Sequence, residues 1–270
     1  MLNNRIFEPF ADLFLHPRLF LVLLRRDLES TVRGSVLGIA WLIVTPLVLV
    51  AIYTFVFGIV LKSTWFDTTE SQLDVPLIYF TGIILFAAFM EILTRAPDFL
   101  RNNATYVKKI VFPLALLDWV IVGAAAAKLV AGLGLLAIFL LFVKGAVPLG
   151  FFMIPLIVLP FLLLMTGLAW FFSAIGTYVR DINHLLLAVA PVLLFISPVF
   201  YDLSQVPADY HWVYRINPLT FVLENTRNQV FFDRPFEWRA YGFYWLAALI
   251  VFNLGFQFFK RAKRGFADVI

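Results

Sequence analysis

Lys128 is the residue of this sequence hardest to place. It stands inside the apolar stretch Pro113–Val143. If that stretch crosses a bilayer, a cation near its middle costs about 2.5–3.5 kcal/mol or more. Such an ammonium must face the interior of a helix bundle, face water, or pair with an acid. Asp118 is roughly 15 Å away along the same helix, too far to be the partner. Glu91, toward the end of the stretch Pro76–Thr94, is the candidate. Lys128 and Glu91 are therefore the intramembrane charges to follow. Little else in the chain could do covalent chemistry. There is no cysteine, and His16, His184 and His211 lie in different segments. No G-x-x-x-x-G-K-[ST], H-E-x-x-H or G-x-S-x-G occurs. The carboxylates outside the apolar stretches form no compact dyad, so no base or nucleophile is nominated. These absences exclude a P-loop ATPase and leave a membrane transferase without its acid–base pair.

The elements that carry these residues follow from composition. Of 270 residues, 62% are hydrophobic and 14% charged. Soluble domains hold about 45–50% apolar and about 25% charged residues. An ordinary soluble enzyme, a disordered chain and a nucleic-acid binder are all excluded, and the net charge of +4 is modest. A membrane helix needs about 20 apolar residues. Six stretches qualify, at about 36–61, 76–94, 113–143, 149–179, 184–201 and 241–259. The expected fold is all-α and integral to the membrane. The third and fourth stretches are longer than a bilayer requires, and Pro155 and Pro160 are expected kink points in the fourth. With six spans, 14 Lys and Arg residues fall on one side and 6 on the other. The basic side is cytoplasmic, which puts both termini there. Residues 1–35 form an N-terminal region, 36–259 the transmembrane domain and 260–270 a cytoplasmic tail. Pro9–Ser30 mixes apolar residues with charges and reads as an interfacial helix broken near Pro17. Its apolar run is too short for a cleavable signal.

Four features outside simple spanning carry functional expectations. In the loop 95–112, Pro97 and Asp98 can open a short helix. Phe99 and Leu100 give it an apolar side, and Asn102 and Asn103 can close it. This is either a plug for a partner's groove or a solvated loop with Lys108 and Lys109 against anionic headgroups. In the outward segment 202–240, Asn217 caps and Pro218 starts a helix. Leu219, Val222, Leu223, Thr226 and Val230 form its apolar face, with Glu224, Asn225, Arg227 and Asn228 pointing elsewhere. Such a helix dips into or lies on the outer leaflet, as a gate or as an inert interfacial element. Inside the spans, Gly123, Ala127 and Ala131 permit close packing, and Thr166, Trp170, Ser173 and Thr177 form one stripe. Finally, Trp41, Thr45, Tyr53 and Phe57 on the first span, and Phe195, Phe200 and Tyr201 ending the fifth, can line a passage or face lipid and its interfaces.

Several of these segments resemble a known family. Arg33-Gly-Ser-Val-Leu-Gly-Ile-Ala-Trp41 is similar to the opening motif of type-2 ABC (ABC-2) exporter permeases. Tyr106-Val-Lys-Lys-Ile-Val-Phe-Pro113 resembles their motif leading into the third span. Tyr178-Val-Arg-Asp181, Ser197-Pro-Val-Phe-Tyr201, and Ile216-Asn-Pro218 followed by Arg227 complete the series in the expected order. The resemblance is nearest to the branch exporting lipid-linked polysaccharides such as O-antigen, capsule and teichoic acid. It implies the type V ABC-2 exporter fold and a homodimer in the bacterial inner membrane, working with two copies of a separate ATPase. ATP and Mg²⁺ would bind that partner, with no cofactor in this chain and no enzymatic role for it. The segment Pro97, Asp98, Phe99, Leu100, Arg101, Asn102 and Asn103 would be the coupling helix on the ATPase. The first and fifth spans would line the passage between protomers. Asn217, Pro218, Glu224 and Arg227 would belong to re-entrant gate helices between the fifth and sixth spans. The alternative cargo within the same fold is a small lipid or drug.

Overall fold

The computed structural model describes residues 8–32, 38–60, 74–108 and 112–270. Every regular element among them is helical. Helix α1 (Glu8–Leu15) and α2 (Pro17–Val32) meet at His16, so the chain breaks beside Pro17, which occupies a first turn where its missing N–H is not needed. Helix α3 (Trp41–Tyr53) continues as a π-helix over Thr54–Val60. Then come α4 (Asp74–Asn102), α5 (Ala104–Val107) and α6 (Ala115–Lys144). A 3₁₀ turn at Leu149–Met153 leads into α7 (Ile154–Tyr178), followed by α8 (Ile182–Ile196) and α9 (His211–Ile216). Helices α10 (Pro218–Phe231), α11 (Trp238–Ala262) and α12 (Phe266–Val269) end the chain.

Among the described residues, four helical runs are long and apolar enough to cross a membrane: Asp74–Asn102, Ala115–Lys144, Leu149–Tyr178 and Trp238–Gly265. Helix α8 is apolar but has only 15 residues. The 30 residues of α6 extend about 45 Å at 1.5 Å per residue. It stops at Gly145, whose φ of +72° makes the left-handed C-cap that a side chain would strain.

Helix α4 is central, and Val75, Tyr79, Phe80, Leu85, Ile92 and Leu100 are all buried. Helix α7 packs against it and against α11 with backbones almost touching. A Cβ on Gly255 would collide with the Gly167 carbonyl, and one on Gly176 would collide with the backbone of Pro97. Small residues are what allow such approach where apolar surface cannot drive helices together. At one end of the bundle, Phe10 of α1 lies 5.5 Å from Trp119 and 4.9 Å from Phe252, and the Trp119 indole donates to the Pro9 carbonyl at 3.2 Å. Glu8 pairs there with Lys260. At the other end Lys144 reaches Asp74 at 3.4 Å, and Tyr244 of α11 donates to the Pro218 carbonyl of α10 at 2.8 Å.

Three local expectations are corrected. Pro97 does not open a new helix, because α4 runs through it to Asn102 and the tight contact with α7 holds it there. Pro155 stands in the first turn of α7, and of the two prolines only Pro160 is interior. On α6, Gly123 packs closely against Phe20 of α2 as expected, but the other tight position is Gly132, against Ile84 of α4, whereas Ala127 is half-buried and Ala131 is exposed. The stripe Thr166, Trp170, Ser173 and Thr177 is fully buried and serves packing.

Candidate functional site

Lys128 and Glu91 are brought together. The ammonium donates to Glu91 Oε1 at 2.7 Å. The same oxygen accepts from Arg95 at 2.8 Å, one turn along α4, and Arg95 reaches Asp27 of α2 at 2.5 Å. Four charges of alternating sign thus join α6, α4 and α2. Each is flanked by its opposite, which is how partly buried charges offset their desolvation. Neither Asp27 nor Arg95 stands out in the sequence as a partner of this pair. The Glu91–Arg95 link was available as an i, i+4 pair, but the reach across to α2 was not. Asp118 is fully buried against α7 and accepts from Ser173 at 3.1 Å.

The next turn of α4 carries the expected coupling residues. Asp98 binds both Arg101 and Asn183 at the start of α8. Asn103 donates to the Phe99 carbonyl at 2.9 Å and closes the helix, as expected. Phe99 and Leu100, however, are buried together with Pro97. The expected apolar side is turned into this chain's own core, because α4 needs it there, and Asn102 is the exposed member of the set. A polar cleft of about 400 Å³ lies here, bordered by Arg26, Asp27, Arg95, Asp98, Asn102 and Asn183.

Of the expected channel residues, Trp41, Thr45 and Phe195 are exposed, Tyr201 is half-buried and Phe200 is buried. Trp41 and Thr45 are exposed and border a cleft of about 280 Å³ that also holds Glu91 and Lys128. The side chains of Tyr53 and Phe57 lie outside the described residues. Phe195 is exposed on α8. Helix α8 ends at Ile196 because Ser197 turns extended and Pro198 follows. Phe200 and Tyr201 therefore lie beyond the helix. Phe200 is buried, its ring 6.1 Å from Tyr79, which corrects its placement on a channel wall. The Tyr201 hydroxyl is 3.0 Å from that of Tyr214.

At the far end Asn217 caps α10 as expected, accepting from the Leu219 amide at 3.0 Å and donating to Ser197 Oγ at 2.8 Å. Leu219, Val222, Leu223, Thr226 and Val230 are buried. Arg227 is buried with them, at 1% exposure, and does not point away from the apolar face. It sits four residues after Leu223 and three before Val230, which places it on their side of the helix. Its guanidinium donates to the carbonyls of Pro198 and Val199, just past α8, and weakly to that of Ile78 on α4. Gly82 makes the room: a Cβ there would overlap Arg227 Nη2 and come within 3.1 Å of the Val199 carbonyl. Asn225 is buried too. Burial holds the Glu224 carboxyl above its ordinary range, with Arg227 opposing.

The arrangement has clefts, ion pairs and a locked helix end, and residues 18–231 match the profile of the ABC-2 type transporter family. The chain is 23% identical over 254 residues to an O-antigen export system permease protein RfbA of Klebsiella pneumoniae, covering 93% of this chain and 95% of that one. A protein of the same name from Myxococcus xanthus is 24% identical over 196 residues, covering 72% of each. A profile match across most of the chain makes this protein a member of the ABC-2 type transporter family.

Proposed function

We propose that this chain is the permease subunit of an ATP-driven exporter that carries a lipid-linked polysaccharide, of the O-antigen kind, across the bacterial inner membrane. The observation that carries this reading is end-to-end kinship with O-antigen export permeases, over 93% of this chain and 95% of the relative. In this reading six helices span, including α3 and the short α8, and both termini are cytoplasmic. Two permease copies and two ATPase subunits assemble, and ATP and Mg²⁺ bind in the ATPase. The end of α4 through α5 couples to the ATPase. Arg95, Asp98 and Asn183 support this by tying that segment to α2 and α8, so a push on it is felt by both. Helices α9 and α10 gate the outer mouth, with Arg227 as the tie to the end of α8.

The test is export in cells. Deleting this chain is expected to abolish the surface glycan, and supplying it on a plasmid to restore it. Glycan that persists without the chain overturns the reading. The coupling assignment has its own test at exposed Asn102. Asn102→Trp is expected to leave the melting temperature unchanged and to lower the ATPase activity of the co-purified complex. Unaltered ATPase activity moves the contact elsewhere.

A further inference from the structure

The largest of the clefts described, about 590 Å³, lies between α9, α10 and the first half of α11, away from the Lys128–Glu91–Arg95–Asp27 chain of charges. Its α10 wall is a polar stripe of Thr220, Glu224, Asn225 and Asn228. Its α11 wall presents Phe243 and Tyr244. Two atoms of the stripe, Thr220 Oγ1 and Glu224 Oε1, have no hydrogen-bond partner among the described residues. Thr220 is only 6% exposed. A buried polar atom left unsatisfied costs about 1–3 kcal/mol, and both residues line the cleft, so a small turn of either side chain toward it lets a ligand there supply the bonds.

The chemistry of the walls narrows what that is. Glu224 accepts, and the Thr220 hydroxyl both donates and accepts. Asn225 spends an amide hydrogen on the Phe221 carbonyl, which leaves its oxygen free to accept. Asn228 uses its oxygen for Arg234, which leaves its amide free to donate. The ligand must therefore offer several donors and acceptors close together and an apolar face for the rings opposite. The cleft carries two carboxylates, Glu224 and Glu237, against one cation, Arg215, and that balance disfavours a phosphate. An aliphatic lipid would leave the stripe unpaired. A sugar ring meets both demands, with hydroxyls at its edge and C–H groups on its face.

We infer that this cleft is a saccharide-binding subsite of the exporter, in which the α10 stripe binds ring hydroxyls and Phe243 and Tyr244 carry the ring face. The inference rests on the glycan-export reading and adds where in the chain the glycan is held. Phe243 is 74% exposed, which leaves it accessible at the rim.

The probe is the oligosaccharide released by mild acid from the host strain's own surface glycan. Its binding to the full chain in lipid nanodiscs is read by saturation-transfer NMR. The variants are Glu224→Gln, Thr220→Val and Phe243→Ala, each checked for an unchanged melting temperature. The expected result is binding by the wild-type chain, weakened about tenfold by Glu224→Gln, the scale of a lost charged hydrogen bond. Phe243→Ala weakens it by a smaller factor. Equal binding by all variants overturns the subsite. No binding by the wild-type chain also overturns it, and the glycan-export reading survives if deleting the chain still abolishes the surface glycan. Persistence of the glycan after deletion overturns both.

Discussion

The two ends of this bundle bury charge in opposite ways. Where α2, α4 and α6 meet, Asp27, Arg95, Glu91 and Lys128 neutralise one another through side chains at 2.5–2.8 Å. Where α4, α8 and α10 meet, Arg227 is more deeply buried and binds backbone carbonyls instead. A side-chain network can lose one member and rearrange around another rotamer. A guanidinium holding carbonyls fixes the main chain, and it does so at Pro198 and Val199, where a helix has just ended and those groups have no helical partner. The first kind of cluster tolerates motion between helices; the second sets the position of a segment.

The largest effect is expected at Arg227. Arg227→Met keeps most of the volume and removes the donors, stranding two buried carbonyls at about 1–3 kcal/mol each. The melting temperature in nanodiscs should fall steeply, with partial recovery in Arg227→Lys, which offers a point charge in place of the planar fork. A small effect would mean the two ends are not different in kind. Next is Gly82→Ala, which pushes a methyl group into the guanidinium and should cost about 1–3 kcal/mol by overpacking. If it melts like the wild type, Arg227 is not held in place as described. Third is the Lys128–Glu91 pair. Each single neutralisation, Lys128→Met or Glu91→Gln, should lower folding yield and export. The double variant should recover, with a coupling of about 0.5–3 kcal/mol in the cycle. Strict additivity would show the pair to be independent. The smallest effect is at Arg25–Glu29, an exposed i, i+4 pair at 2.7 Å on α2. Arg25→Gln should not shift the melting temperature measurably, and a clear shift would show that exposed charges matter here as much as buried ones.

Much of this architecture was legible because membrane helices are written in long apolar runs. That the stretches 113–143, 149–179 and 241–259 carry long helices, and that Asn217 caps α10, followed from residue type. Glu91 as the acid near Lys128 followed from the cost of burying an ammonium. The failures came where packing overrode a local signal. Pro97 and Asp98 look like a helix start, yet α4 continues because Gly176 lets α7 press against that very turn. Phe99 and Leu100 read as a docking face because nothing in the sequence places α4 at the centre. The charge of Arg227 points it to water, although its spacing from Leu223 and Val230 puts it on the buried side. Asp27 and Asn183 enter through contacts 68 and 85 residues away in sequence, which no periodicity can supply.

The glycine contact between α7 and α11 has a mechanical meaning. With the Gly255 Cα lodged against the Gly167 carbonyl, neither helix can slide or roll past the other without a collision of main chains. In the proposed export cycle this pair would be the stator. Helix α8, with Leu186 as its one buried residue, would be the rotor, tied through Asn183 to Asp98 at its start and, just past its end, through Pro198 and Val199 to Arg227.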